Sequence, residues 1–208
     1  MKLTNQQIKQ IDNYLINLKV KFVDVRLELI DHLASDFEQS SNYALLEDYL
    51  DVKVTFIKNF EKQRQKTIHW SYQAQLRKRL AMFFYKPKYV LFTISLGLIM
   101  VFLINLEVYL EASIFLFLLM TCFHISAYIT HLKHRKTLKK LQAAQPLYSI
   151  MALPSLFLYC FSLVKDYIFE NPYMFFLYFF LGTLSNVAGY FEVYDNKSKI
   201  IKHSKLIL

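Results

Sequence analysis

Between Tyr89 and Phe191 the chain carries four apolar segments, at about 89–106, 112–130, 147–164 and 173–191. Each is close to the roughly 20 residues that a helix needs to cross a hydrocarbon core about 30 Å thick. The first holds no charge and has twelve residues that are Leu, Ile, Val or Phe. On an insertion scale these contribute on the order of −5 kcal/mol together. The second is interrupted only by His124 and small hydroxyls. The third is the weakest and has Pro154 near its middle, where a proline removes a backbone donor and predicts a kink. A water-soluble core needs no such succession. The fold class predicted is all-α, a cytoplasmic three-helix head followed by a four-helix transmembrane bundle.

The formal net charge is +9, a surplus that fits either nucleic acid or an anionic membrane surface. Its distribution decides for the membrane. Fifteen Lys or Arg precede the first span, none lies between spans one and two, and five lie between spans two and three. One, Lys165, lies between spans three and four, and four follow the last span. Cytoplasmic loops carry the excess of basic residues, so both termini are expected in the cytoplasm, with Lys165 alone outside. The outer turns instead carry Glu107, Glu111, Asp166 and Glu170. Met1 to Gln7 is not followed by an apolar run, so a cleaved signal peptide is not expected. Cys122 and Cys160 fall inside apolar spans and read as small hydrophobes rather than a disulfide.

Residues 1–66 are predicted to form the helical head. Thr4 and Gln7 have the spacing of a capping box, and Ile8, Ile11, Leu15 and Leu18 follow as one helical stripe. The stripe breaks from Lys19 to Phe22, where a turn is expected. Asp24 suits the N-cap of a second helix over Val25 to Gln39, with Leu29, Ile30, Leu33 and Phe37 on its apolar face. Ser40, Ser41 and Asn42 form a turn cluster that can cap a third helix, which carries Leu45, Leu46, Tyr49, Leu50, Ile57 and Phe60. Val52, Val54 and Phe56 alternate with polar residues, but nothing nearby pairs with a lone strand, so helix is preferred.

Residues 67–88 are predicted to be a basic amphipathic juxtamembrane helix. Lys62 to Lys88 contains eight Lys or Arg and no acid. Trp70, Ala74, Leu80 and Phe84 fall near one side, a pattern typical of an interfacial helix on anionic lipid. Residues 192–208 read as a basic cytoplasmic tail.

The candidate sites are few. Glu28 reaches Asp31 and His32 at helical spacings of three and four, and a carboxylate beside an imidazole raises the histidine's pKa. The plainer account of this triplet is a solvated face with a local ion pair. His124 is the one ionisable side chain other than cysteine well inside a span, and it fits a neutral histidine hydrogen-bonded to a neighbouring helix. Gly182, Ser185, Asn186 and Gly189 follow at three, four and three, a small-residue stripe suited to close helix packing. His131 and His134 have metal-ligand spacing, but Lys133, Arg135 and Lys136 surround them and no third ligand is evident. No catalytic triad, metalloprotease motif or glycine-rich phosphate loop is present, so neither an enzyme nor a cofactor is expected.

Tyr14-Leu15, the string from Val23 to Leu33 with its Glu28, Asp31 and His32, and Asp36 to Glu38 resemble a group of uncharacterised small bacterial four-span membrane proteins. More distantly they are similar to the HAAS-type helical head that precedes transmembrane modules and is often linked with PadR-like regulators. Tyr85-Lys86-Pro87-Lys88 resembles the same small-protein group. The resemblance implies a cytoplasmic head on a multi-pass anchor in a bacterial cytoplasmic membrane, and no catalytic residues. The expected function is a regulatory or scaffolding membrane protein whose head binds a protein partner, with a small transporter or channel as the alternative. The other partner expected is the lipid bilayer, no nucleic acid is expected, and homo-oligomerisation is left open.

Overall fold

The computed structural model describes residues 3–40, 45–133 and 135–207, with positions 137, 206 and 207 described by backbone alone. The fold is all-α, and no strand occurs among the described residues. In order the helices are α1 (Asn5–Asn17), α2 (Val23–Gln39), α3 (Leu46–Val52), α4 (Val54–Tyr85), α5 (Pro87–Asn105) and α6 (Tyr109–Leu132). There follow α7 (Arg135–Leu138), two 3₁₀ turns (Gln142–Ala144 and Leu147–Met151), α8 (Ala152–Tyr159), α9 (Phe161–Glu170) and α10 (Pro172–Ile207). The chain divides into two compact units.

The first unit comprises Met1–His69, His134–Pro146 and Ile200–Leu208. Thr4 and Gln7 form the capping box, each side chain meeting the other's backbone amide. α1 ends where Lys19 takes a positive φ of 65°, the turn that lets α2 fold back. Ile11, Leu15, Leu29, Leu33, Tyr49, Leu50 and Ile57 make the core, so one stripe from each of α1 to α4 is sequestered from water. Leu18 packs at its margin, while Ile8 is exposed. Of the Ser40–Asn42 turn, only Ser40 is among the described residues, and it caps the C-terminus of α2. The segment Val52 to Phe56 is helical apart from a break at Lys53. Leu138, Leu141 and Ala144 are also buried, so the segment between α6 and the second 3₁₀ turn is a packed part of this unit.

The second unit comprises Trp70–Lys133 and Leu147–Lys199. α5, α6 and α10 are each long and apolar enough to cross a membrane, and a pair bent by 50°, Gln142–Tyr159 with Phe161–Glu170, passes the same test together. α10 is the central element: 56% of its most apolar window is buried, against 11% for α5 and 22% for α6. Leu91, Leu98, Phe102 and Leu163 are each more than 60% exposed. Apolar surface on that scale suits lipid rather than water.

Three details differ from the sequence expectations. The bend in the third span falls at Cys160, where α8 gives way to α9. Pro154 is the third residue of α8, within the first turn, where a missing N–H removes no hydrogen bond of that helix. The buried stripe of α4 in this unit is Tyr72, Leu76 and Phe83, while Trp70 and Phe84 are 57% and 61% exposed. The final segment is not a separate tail, because α10 continues to Ile207 with no Gly or Pro after Gly189 to stop it.

Candidate functional site

In the first unit, Arg64 gathers the polar groups of the head. Its Nε donates to Glu28 Oε2 at 2.6 Å, and its Nη1 donates to Asp24 Oδ2 and to Gln142 Oε1, each at 3.0 Å. Asp24 is not the N-cap of its own helix. α2 begins at Val23 behind Phe22, and no side chain caps it. The Asp24 carboxylate instead accepts from the backbone amides of Gln142 at 2.8 Å and Ala143 at 3.2 Å. These amides open the 3₁₀ turn Gln142–Ala144, whose N-cap residue Leu141 makes no side-chain capping bond. Gln142 is fully buried, and its amide donates to the Glu61 carbonyl at 2.9 Å. Val23 N–H donates to the Lys140 carbonyl at 2.9 Å. A buried carboxylate meeting three donors is the arrangement that offsets the cost of removing its charge from water.

The triplet Glu28, Asp31 and His32 is thereby split. Glu28 is engaged by Arg64. His32 sets its ring edge-on to Phe60, 5.6 Å between centroids, and remains exposed. Asp31 is exposed and has no ion pair among the described residues. Two further pairs brace the head. Asp36 accepts from Tyr49 at 2.7 Å and from Lys53 at 2.7 Å, and the Lys53 contact, followed by that of Tyr49, holds its carboxyl below the usual range. Tyr14 donates to Asp51 at 2.6 Å; burial and then the adjacent carboxylate push its phenol up to about 12.

In the second unit, Arg79 pairs with Glu192 and Asp195. Glu192 is 5% exposed and accepts from Asn196 Nδ2 at 2.8 Å. Lys197, also 5% exposed, donates to the Thr130 carbonyl in the last turn of α6, where the helix dipole favours a cation. Sequence reasoning missed this cluster, yet a signal was present: Tyr72, Leu76, Arg79 and Phe83 form a stripe at four, three and four.

His124 and Asn186 both belong to the second unit. Tyr148 Oη lies 2.7 Å from His124 Nε2, while His124 Nδ1 and Asn186 Oδ1 are buried with no hydrogen-bond partner among the described residues. Asn186 is fully buried and donates to the carbonyls of Gly182 at 2.9 Å and Pro154 at 3.3 Å. Gly182 and Gly189 flank it. A Cβ at Gly182 would meet Met120 Sδ at 2.6 Å, and one at Gly189 would meet Met151 Sδ at 2.7 Å and Pro154 Cγ at 2.9 Å. The stripe on α10 is therefore packed directly against α6, α8 and the turn before α8.

His134 lies outside the described residues, so the His131–His134 pair has no geometry to report. Among the described residues, no three His, Cys, Asp or Glu side chains converge as a metal site would require. Comparison with protein-family models, with curated proteins and with solved structures returned no match.

Proposed function

We propose that the chain is a four-span integral membrane protein, the bent pair α8–α9 counting as one span, with a regulatory or scaffolding head in the cytoplasm. One observation carries this. The segments assigned to the cytoplasmic side by their basic residues are the head, the loop after span two and the end of the chain. Parts of these same three segments, Met1–His69, His134–Pro146 and Ile200–Leu208, make up the first unit. The Arg64–Asp24–Gln142 cluster supports it by binding the loop to the head. The cytoplasmic module is then a head of the HAAS-like kind completed by the inter-span loop. In this proposal Glu28 serves the internal cluster, and Asp31 and His32 are the part of the motif that faces a protein partner.

The test is in vivo crosslinking with identification of what co-purifies. Replacing Asp31 and His32 by Ala is expected to remove a specific partner at least tenfold while leaving the thermal unfolding of the purified protein unchanged. An unaltered set of partners would refute the proposal. The transporter alternative draws on His124 and Asn186, but His124 is hydrogen-bonded to Tyr148 and Asn186 to the carbonyls of Gly182 and Pro154. Altered solute flux on their joint replacement by Ala, with partners unchanged, would favour it instead.

A further inference from the structure

The second unit holds a groove of about 690 Å³ bounded by the end of α4 and by α5, α6 and α10. Leu96, Leu119, Phe123 and Val187 are among its apolar lining, and Phe92 and Ile99, which line it too, are 40% and 54% exposed. The mouth is different. Lys88 lies there in the first turn of α5, exposed, beside Phe83 and Tyr89, whose rings lie 5.3 Å apart. No carboxylate among the described residues pairs with Lys88, and the nearby acids Glu192 and Asp195 are engaged by Arg79.

The dimensions identify an occupant. From Lys88 to Ile99 the groove follows α5 for roughly 16 Å at about 1.5 Å per residue, about half of a hydrocarbon core roughly 30 Å thick. A site with a cation and aromatic rings at one end, and apolar walls reaching the bilayer midplane, has the profile of one lipid in one leaflet. A helix from a second copy would fill the walls but would leave the lysine unanswered.

We propose that this groove binds one anionic phospholipid, with its phosphate on Lys88 and an acyl chain lying along Leu96 and Ile99. The proposal rests on the membrane-spanning reading and goes beyond it by naming a ligand. Thr183 sharpens the prediction. Its hydroxyl is buried in the groove wall with no hydrogen-bond partner among the described residues. An acyl chain offers it none either, so the hydroxyl is not part of recognition.

The experiment is native mass spectrometry of the full chain in detergent, with phosphatidylglycerol or phosphatidylcholine added as the probe. Phosphatidylglycerol should be retained about fivefold better, the weight of one interfacial lysine. Lys88→Gln should bring that ratio to about one. Ser95→Trp, which fills the groove from an exposed wall position, should lower retention of both lipids at least fivefold. Thr183→Val and Lys136→Gln should change neither. Equal retention by the unaltered protein, a preference that survives Lys88→Gln, or a lipid-free dimer with the groove covered would overturn the proposal. So would loss of binding in Thr183→Val, which would indicate a ligand polar at depth. Should Ser95→Trp fail to fold, the exposed Lys88→Gln decides alone. Alkaline carbonate extraction of membranes tests the membrane reading separately, because a chain released by carbonate fails that reading whatever lipid it binds.

Discussion

Arg64 and Asp24, forty residues apart, meet at 3.0 Å, and the same carboxylate holds two backbone amides of a turn 118 and 119 residues further along the chain. This makes Asp24 the point at which the loop after α6 is joined to the head. Asp24→Ala would remove the carboxylate shared by Gln142 N–H and Ala143 N–H and one of the three acceptors of Arg64. Breaking one partner out of a buried, hydrogen-bonded charge pair costs about 3 kcal/mol. Tryptic cleavage after Lys139 or Lys140 should accelerate strongly in that variant. Asp24→Asn keeps one acceptor oxygen and should fall between. An unchanged cleavage rate in Asp24→Ala would mean that the loop is held by its leucines alone.

The three glycines should respond to alanine in a graded order. At Gly97 the new methyl meets Phe180 at 3.8 Å and Phe176 at 4.0 Å, which is ordinary contact, so Gly97→Ala should be neutral or stabilise through helix propensity. Gly182→Ala pushes on a flexible methionine sulfur but also on Phe157 at 3.2 Å, and should cost moderately. Gly189→Ala meets the rigid Pro154 ring at 2.9 Å and should be worst, in the range of about 1–3 kcal/mol for an overpacked site. Thermal unfolding of each variant in detergent gives the order.

Much of this was legible in the sequence where one element sufficed to decide. The capping box at Thr4, the turn after Leu18 and the spans later seen as α5, α6 and the first half of α10 all follow from local spacing. What was hidden depended on distant partners. Arg64 and Arg79 sit in a run of eight basic residues that looks like a lipid-facing surface, yet both turn to carboxylates: Asp24 and Glu28 for Arg64, Glu192 and Asp195 for Arg79. Asp24 has the composition of an N-cap, but its acceptor serves a turn more than a hundred residues away. Pro154 invites a kink wherever it is read alone, and only the actual start of α8 makes it harmless.

Asp36 makes the head sensitive to acid. Its carboxyl titrates below its unfolded value because Lys53 and Tyr49 hydrogen-bond to it. A depressed carboxyl contributes stability above its unfolded pKa and loses it as pH falls through the folded value. The melting temperature of the protein should therefore decline below about pH 4, near the unperturbed carboxylate pKa. Asp36→Asn should be less stable at neutral pH and should show a shallower decline. The same decline in both would place the acid sensitivity elsewhere.

The central claim is that the head, the loop after α6 and the end of the chain share the cytoplasmic face. Reporter fusions or cysteine labelling at Val108, Lys136, Glu170 and Lys202 test it in one experiment. The account predicts Lys136 and Lys202 inside, and Val108 and Glu170 outside. Finding Val108 and Lys136 on the same side of the membrane would contradict it.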